Sequence, residues 1–386
     1  MRGLRPSRRR RAYAGNERGS VLILVTLSLV AVLSMFALVV DLGMGYSARS
    51  EAQRAADAAA LAGASAFLDY PVEPLHAVEP AKNLARQYAR LNEILHRPIR
   101  DDEVDVLVHP DADPPTVEVV IRRTGLPTMF ARIFGVDSLA VTARAVAQVA
   151  NSTTANCMAP WAIVDWWDEA TDDGNNIPDD DEEWTFGPGD RYVPFGAGQG
   201  PEETGLGSRF RGPTADFGRQ MTIKPAPASG GNVTAGQYYV WSHGRGELGP
   251  EAYKARLLDC DPTPIRIGET YRRSRVSVDL ANATEAAVDS LYRLDPDAVW
   301  RDDGVSPHLE SEFGMRSPRV VRVPLVDPSK VTNNTVTFSN IGLFFIESAT
   351  PGPNGEITGR FLYYVPGTPD GGGGPSRLIR YVRLTG

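Results

Sequence analysis

The sequence predicts an α+β fold: one amino-terminal transmembrane helix continues into a long helix packed on a small mixed sheet, and a β-rich carboxyl-terminal domain follows. Residues 20–40 are apolar, residues 47–68 are rich in alanine, and short β-rich runs separated by glycine and proline begin after residue 151. These changes divide the 386 residues into four parts. They are a basic tail (1–19), a transmembrane helix (20–41), an α+β domain (42–150) and a β-rich domain (151–386).

The apolar run has the length of a membrane span. About 20 residues at about 1.5 Å each match the hydrocarbon thickness of a bilayer, whereas the apolar core of a signal peptide has about 7–15 residues. Thr26, Ser28 and Ser34 are compatible with lipid because each hydroxyl can donate to a carbonyl one turn back. A cleaved signal or a twin-arginine export signal is the alternative, although no small-x-small site follows the run.

Charge indicates the topology of the chain. Residues 1–18 contain seven arginines against the single acid Glu17, and the basic flank of a span stays in the cytoplasm. We therefore expect a single-pass protein whose amino terminus is cytoplasmic and whose bulk is outside. The formal net charge is −8, and without the tail 33 basic residues face 47 acidic ones, which argues against nucleic acid as a partner of the outer part.

Residues 47–68 predict a helix with one face of small side chains. The segment lacks proline and carries charged residues at helical spacing. Because small side chains let another backbone approach closely, we expect this face to dock a partner, or to pack on a sheet or a helix at short distance. A solvated helix is the alternative. The face consists of Ala52, Ala55, Ala59, Ala62, Gly63 and Ala66.

Periodicity predicts the rest of the α+β domain. A second helix ends before Pro98 and carries Leu84, Tyr88, Leu91 and Leu95 on one face. Strands are predicted at 104–108, 116–123 and 138–149, with a short apolar helix at 126–134.

The second domain is predicted to be mainly β, with turns rich in glycine and proline. One helix begins at the cap residue Asn282, which Glu285 follows, and ends before Pro296. Residues 348–356 are predicted as a hairpin connection. The predicted strands are 237–242, 265–267, 319–326, 340–347, 360–365 and 378–384.

Four features of the first segment occur together. Glu17-Arg18-Gly19 precedes the span, Asp41 lies at its outer end, Tyr46 follows, and residues 53–64 read QRAADAAALAGA. In this combination the segment resembles the amino-terminal region of the TadE/TadG-like family, proteins of bacterial Flp (tight-adherence) pilus assembly. The resemblance covers about the first 150 residues and is looser after residue 81.

The resemblance implies a non-catalytic assembly or minor-pilin-like component of the bacterial inner (plasma) membrane. Its implied partners are the membrane and other pilus-assembly or pilin-like proteins, with no nucleic acid and no small-molecule substrate. The chain departs from the family in two ways. It lacks the D-x-S-x-S metal motif of many TadG-like chains, and residues 21–40 contain no Glu of the kind found in processed TadE-like pseudopilins.

Cys157 and Cys260 are the two cysteines of the chain, and both fall in the part expected outside the cytoplasm. A disulfide between them is the predicted pairing, with two separate buried thiols as the alternative. Neither has a second Cys or His at the spacing of a zinc site.

Residues 171–182 read TDDGNNIPDDDE and predict a calcium loop. Calcium prefers several oxygen ligands on a short turn, and Asp173, Asn175, Asp179 and Glu182 occupy positions 3, 5, 9 and 12 of such a loop. The D-G-x-x-I-P-D string resembles the calcium loops of thrombospondin-type-3 and related extracellular repeats. Ca²⁺ is the one cofactor that the sequence suggests, and an acidic solvated turn without an ion is the alternative.

Motifs of catalysis are missing from the sequence. It contains no H-x-x-x-H pair and no G-x-S-x-G elbow, so we predict that the protein is not an enzyme, with His243 the first residue to check. Four tryptophans lie near Cys157 and the acidic segment, which indicates either carbohydrate stacking or packing of a small β domain. They are Trp161, Trp166, Trp167 and Trp184.

The predicted function is that of a membrane-anchored extracytoplasmic component of Flp/Tad-type pilus assembly or secretion machinery, acting by scaffolding and partner docking. The alternative is a calcium-stabilised extracytoplasmic adhesion or binding module that uses the first region as a tether.

Overall fold

The computed structural model confirms the α+β class. It describes residues 17–69, 74–112, 114–170, 184–196, 202–209, 215–227, 231–243, 248–274, 280–302, 307–348, 355–362, 365–366 and 378–385. Within these residues, the first region is built on helix α1 and the second on a larger β-sheet.

Helix α1 runs without a break from Glu17 to Asp69, a length of 53 residues. No proline interrupts it, and alanine, the residue with the highest helix propensity, dominates its second half. The side chains of residues 21–36 are exposed, whereas Ala48 and the alanines that follow are mostly buried. The structure thus confirms that the apolar helix continues into the alanine-rich helix.

Helix α2 (Val78–Arg90) packs on α1 through its alanines. Ala81, Ala85 and Ala89 are buried, whereas Tyr88 and Leu91 are exposed by 44% and 72%. The predicted apolar face is therefore wrong for Tyr88 and Leu91, whereas Leu84 and Leu95 are partly buried against the same core. The physical reason is the short distance between α1 and α2, which leaves room for methyl groups but not for leucine or tyrosine side chains.

A five-stranded mixed sheet covers the other side of α1. Its strands are β3 (Val104–His109), β4 (Thr116–Pro127), β5 (Ser138–Asn151), β17 (Val365–Pro366) and β18 (Ile379–Thr385). They lie in the order β17-β18-β5-β4-β3, and all pairings are antiparallel except that of β17 with β18, which is parallel.

Strand β18 joins this sheet from more than 200 residues away in sequence. Arg380 pairs with Asn151 and Thr385 pairs with Val146, so β18 covers the edge of β5 that β4 leaves open. The predicted boundary near residue 150 stays a prediction, but the sheet of the first region includes a strand from beyond it.

The segment predicted as a short helix at 126–134 differs in the structure. Strand β4 extends to Pro127 through an irregularity between Arg123 and Leu126, where Gly125 has a φ of 71°. Only Ala131–Phe134 is helical, as one 3-10 turn that Gly135 ends in a left-handed conformation. The apolar residues here therefore form a hairpin turn rather than a core helix, and the prediction is wrong in this detail.

A small hairpin follows α2, formed by β1 (Glu93–Ile94) and β2 (Arg97–Pro98). The buried side chain of Arg123 holds it: the guanidinium donates to the carbonyl of Ile94 at 3.0 Å and to that of Arg97 at 2.9 Å. The carboxylate of Glu103 accepts a further bond at 3.0 Å, which balances the buried charge.

The second region is built on a larger sheet whose strand pairings form a closed ring. The strands of this region are β6 (Thr154–Ala155), β7 (Trp161–Val164), β8 (Gln220–Pro225), β9 (Gln237–Ser242), β10 (Ile265–Arg266), β11 (Thr270–Arg273), β12 (Val299–Arg301), β13 (His308–Glu310), β14 (Val320–Val326), β15 (Thr335–Ile346) and β16 (Ile357–Leu362). Strand β15 pairs with both β14 and β16, and the ring continues from β16 through β8, β9 and β7 back to β14. Strand β11 pairs with β15 and β9, and the pairs β6–β10 and β12–β13 lie outside the ring.

Helices α3 (Pro250–Leu258) and α4 (Leu280–Leu294) pack on this sheet. Tyr253 and Leu257 of α3 share one core with Val288 and Leu291 of α4 and with side chains of β7, β9 and β14. Alternate residues of the same strands belong to a second core, so both faces of the sheet are covered. The strands predicted in this region are present, with ends shifted by a few residues and β15 extended to Thr335.

Candidate functional site

The outward-facing apolar half of α1 is the first candidate site. Among the described residues, α1 is the one helix long and apolar enough to cross a membrane. Two hydroxyl side chains of this half form hydrogen bonds within the helix: Thr26 donates to the carbonyl of Leu22 and Ser34 to that of Val30, both at 2.8 Å. These bonds confirm the expectation for Thr26 and Ser34 and leave the surface of this half of the helix apolar.

Asp41 lies at the end of the exposed apolar stretch and is buried. Its carboxylate accepts hydrogen bonds from the backbone amides of Met129 at 2.8 Å, Phe130 at 3.0 Å and Ala131. These amides open the 3-10 turn between β4 and β5, where the first amides of a helical turn lack partners of their own. Asp41 therefore ties the end of the apolar helix to the turn of a hairpin.

The hairpin of β4 and β5 runs along α1 away from this junction. A Cβ placed on Gly45 would lie 3.4 Å from Leu139, and the side chain of Gln53 donates to the carbonyl of Arg144 at 3.0 Å. Residues 41, 45 and 53 thus meet the turn and then successively later positions of the return strand β5. The turn between β4 and β5 is the end of this hairpin nearest to the apolar half of α1.

The small-residue face of α1 lies inside the first region. Ala52, Ala55, Ala59 and Ala66 are buried, Gly63 is buried and Ala62 is partly exposed. A Cβ on Gly63 would lie 2.9 Å from Val117 of β4 and 3.2 Å from Ala85 of α2. The chain's own sheet and helix fill this face, which corrects the expectation of a partner there and agrees with close packing on a sheet and a helix.

Cys157 and Cys260 form a disulfide in the structure, with Cα atoms 4.4 Å apart and a sequence separation of 103 residues. The amide of Cys157 also donates to the carbonyl of Asp261 at 2.9 Å. The disulfide therefore fastens the segment that leads into β7 to the segment that follows α3.

His243 lies near this disulfide in a charged cluster. Its Nε2 is 3.7 Å from the carboxylate of Asp261, and Arg256 lies over the ring of Trp241 at 4.2 Å. Burial lowers the pKa of His243 below its ordinary value, and burial lowers the pKa of Arg256 to about 10. The arrangement packs a histidine and an arginine against Trp241.

Asp165 is a fully buried acid of the second region. It accepts hydrogen bonds from the amides of Trp166 at 2.9 Å and Leu206 at 2.8 Å, and from the hydroxyl of Tyr192 at 2.8 Å. Burial raises its pKa to about 7. Asp216, also buried, accepts from the amide of Gly207 at 2.8 Å, so the two acids fasten the same loop to the sheet.

The tryptophans that suggested carbohydrate stacking are core residues. Trp161, Trp166, Trp167 and Trp184 are all buried, with exposed fractions of 3% or less. A sugar ring needs an exposed aromatic face, which none of the four offers. Packing of the β region accounts for this cluster.

The predicted calcium loop, with Asp173, Asn175, Asp179 and Glu182, lies outside the described residues. Among the residues that the structure describes, no group of three or more His, Cys, Asp or Glu side chains is arranged to hold a metal ion.

Sequence reasoning missed the residues around Asp41. The aspartate itself was part of the motif, but its partners at 129–131 contribute backbone amides, which carry no residue-type signal. Asp165 was not selected either, although a lone acid after the apolar strand WAIV is a local signal of a buried polar group.

Comparison with known proteins addresses the first region. Residues 19–66 match the family model Tad, described as Flp pilus-assembly TadE/G-like. No curated protein and no solved structure matches the chain. The matched residues comprise the apolar half of α1, Asp41 and most of the buried alanine-rich half. The amino-terminal region of this chain is therefore similar to the TadE/G-like family of Flp pilus-assembly proteins.

Proposed function

We propose that this chain is a single-pass membrane component of Flp/Tad-type pilus assembly or of a related secretion machine, and that it acts as a scaffold without catalysis. Helix α1 carries the proposal: one continuous helix is exposed and apolar over residues 21–36 and buried in a folded region from Ala48 onward. The match to the TadE/G-like family covers both halves. Such a helix holds a folded region directly above a membrane.

The proposed orientation follows from the seven arginines of residues 1–18. The amino terminus lies in the cytoplasm, and the two folded regions lie outside the inner membrane. An exterior location also suits the Cys157–Cys260 disulfide, because thiols are oxidised in such compartments.

Single cysteines test this orientation, since both native cysteines are in the disulfide. A membrane-impermeant maleimide should label Leu107→Cys in spheroplasts, because Leu107 of β3 is 53% exposed. The matched variant Arg10→Cys should react only after the membrane is permeabilised. Labelling of Arg10→Cys but not Leu107→Cys in sealed spheroplasts would overturn the orientation.

Partner docking in this proposal uses surfaces other than the small-residue face, which the chain itself fills. The exposed apolar side chains of residues 21–36 can pack on pilin-like helices within the membrane. The second region would extend the scaffold outward.

A deletion of the second region tests the scaffold function, and the structure dictates its design. Simple removal of residues 151–386 would also remove β18 from the first sheet. The amide of Ser152 donates to the carbonyl of Ile379 at 2.9 Å, so a two-residue Asn-Gly turn can replace residues 153–378 and leave β5 and β18 as a hairpin.

The deletion separates the two candidate functions in cells that produce the shortened protein at normal levels. Loss of pili would support a scaffold role for the whole chain. Normal pili with lost attachment would favour the adhesion module. Normal pili and normal attachment in cells that lack the entire protein would overturn both functions.

We further propose that residues 171–182 bind calcium. The described residues on either side of this segment lie close together, because the rings of Trp167 and Trp184 pack with centroids 6.2 Å apart. Calorimetry should detect calcium binding by the full chain and its loss in D173N/D179N. The matched control D172N/D180N removes the same charge outside the proposed ligand set, and equal loss in both variants would favour a solvated acidic turn.

A further inference from the structure

The turn between β4 and β5 exposes a cluster of apolar side chains. We name residues 128–137 the hairpin tip. Met129, Phe130, Ile133 and Val136 are exposed by 57%, 38%, 75% and 44%. Outside residues 21–46, no other ten-residue stretch of the described chain exposes four large apolar side chains. Clusters of this kind on a protein surface mark a contact with a membrane or with another protein.

The position of the hairpin tip decides between a membrane and a protein as the contact. Its amides at 129–131 bind the carboxylate of Asp41, so the tip lies level with Asp41 along α1. The span from Ser20 to Asp41 covers about 30 Å at about 1.5 Å per residue, which equals the hydrocarbon thickness of a bilayer. When α1 spans the membrane, the hairpin tip is therefore level with the boundary between lipid and water.

The side chains of the hairpin tip match the chemistry of that boundary. Interfacial segments combine apolar or aromatic side chains with cations that reach phosphate headgroups. Arg132 is exposed between Phe130 and Ile133, which gives the tip one cation among its apolar residues. Tyr46 of α1 is 78% exposed a little more than one turn beyond Asp41, where interfacial tyrosines are common.

We propose that the hairpin tip inserts into the headgroup and upper acyl layer of the outer leaflet as a second membrane contact beside the span. The inference rests on the proposed function, because it requires α1 to cross the bilayer. The lipid is the occupant because the hydrogen bonds of Asp41 hold the tip beside the end of the exposed apolar stretch of α1. Two contacts restrict the tilt of the folded region, which one helix alone leaves free.

Fluorescence quenching in lipid nanodiscs tests this contact with the full chain. Ile133→Cys is labelled with an environment-sensitive fluorophore, and both native cysteines remain in the disulfide. Leu29→Cys in the middle of the span is the control for lipid. Leu107→Cys is the control for water, because its partner Glu118 lies at the end of β4 remote from the tip. Lipids with a spin label near the headgroup and aqueous iodide are the two quenchers.

We expect the label at residue 133 to be quenched by the spin-labelled lipid, to emit at shorter wavelength than the label at residue 107, and to lose most of its iodide quenching. In a second variant set, Val136→Cys carries the label. Adding Ile133→Asp should then increase iodide quenching of the label at residue 136, whereas adding Ile133→Leu should not. Ile133 is 75% exposed, so neither substitution disturbs the core.

Each other outcome overturns the inference in a different way. A label at residue 133 that iodide quenches as strongly as the label at residue 107, with residue 29 quenched by lipid, removes the second contact and leaves the span intact. Protection from both quenchers at residue 133 means that a second copy of the chain covers the tip. Absence of lipid quenching at residue 29 refutes the proposed anchor together with the inference.

Discussion

Asp41 and Met129 are separated by 88 residues and joined by a hydrogen bond of 2.8 Å from the Met129 amide to the Asp41 carboxylate. With the amides of Phe130 and Ala131, this bond connects the end of the apolar helix to the turn of the β4–β5 hairpin. The chain thus fixes the orientation of its first sheet at the point where the exposed apolar stretch of α1 ends.

Asp41→Ala should loosen this turn. Three backbone amides lose their acceptor, so the amides of residues 129–131 should exchange hydrogen several-fold faster, while those in the middle of β5 stay protected. Hydrogen exchange of the full chain in detergent measures both. The matched control is Asp137→Ala, an exposed acid of the same turn. Equal exchange rates in Asp41→Ala and the unaltered protein would show that the bonds do not hold the turn.

Gly63→Leu should destabilise the first region by about 1–3 kcal/mol or more, because overpacking displaces neighbours in a dense core. The added side chain would meet Val117 and Ala85. Gly43→Leu is the matched control, since no atom lies within 4 Å of a Cβ at that position of the same helix. Denaturant unfolding in detergent should show a loss for the first variant and not for the second. A similar stability of both variants would contradict the close approach.

Truncation before Ile379 should destabilise the first region, although it leaves residues 42–150 unchanged. The truncation removes Val382, whose side chain packs against the core of the first region, and leaves the edge of β5 unpaired. Lost backbone pairing and lost apolar contact both lower the stability of the sheet. The amides of 146–151 are the ones to follow by hydrogen exchange, and removal of Gly386 alone is the control. Unchanged protection there would mean that β18 contributes little to the sheet.

Loss of the disulfide should cost about 2–5 kcal/mol, because the bond closes a long loop in the unfolded chain. The loop here spans 103 residues. Thermal unfolding with and without a reducing agent tests this on the unaltered protein. The double variant Cys157→Ser/Cys260→Ser should unfold at the temperature of the reduced protein. Its unfolding temperature should not change when the reducing agent is added. A reducing agent that has no effect on the unaltered protein would contradict the prediction.

Stability should fall as the pH rises towards 7, because of Asp165. Burial raises its pKa from 3.8 to about 7, so the folded protein binds a proton that the unfolded chain releases between these values. The free energy of unfolding should therefore decrease from about pH 4 to about pH 7, by at most about 4 kcal/mol, and level off above that. Burial also raises the pKa of Asp216, which adds to the slope in the same direction.

Asp165→Asn tests this assignment, because asparagine keeps an oxygen acceptor and cannot ionise. Urea unfolding at a series of pH values should show a smaller slope for the variant below pH 7. The slope due to Asp216 should persist. Identical slopes in both proteins would rule out Asp165 as the titrating group.

The sequence determined the features that depend on local composition and spacing. The apolar stretch specifies a helix long and apolar enough to cross a membrane, and the alanine-rich segment specifies the continuation of α1. The alternation of apolar residues places most strands. These follow because helix propensity, helix period and strand alternation act between residues that are near in sequence. The hydroxyl bonds of Thr26 and Ser34 belong to this class as well.

Tertiary structure alone decided which surfaces meet. The small-residue face was visible in the sequence, but only the fold shows that β4 and α2 occupy it at Gly63. Strand β18 pairs with β5 across more than 200 residues, and Asp41 finds amides 88 residues away. Backbone amides and carbonyls are the same in nearly every residue, so no sequence pattern indicates which of them will be hydrogen-bond partners. The packing of the whole chain determines which ones meet.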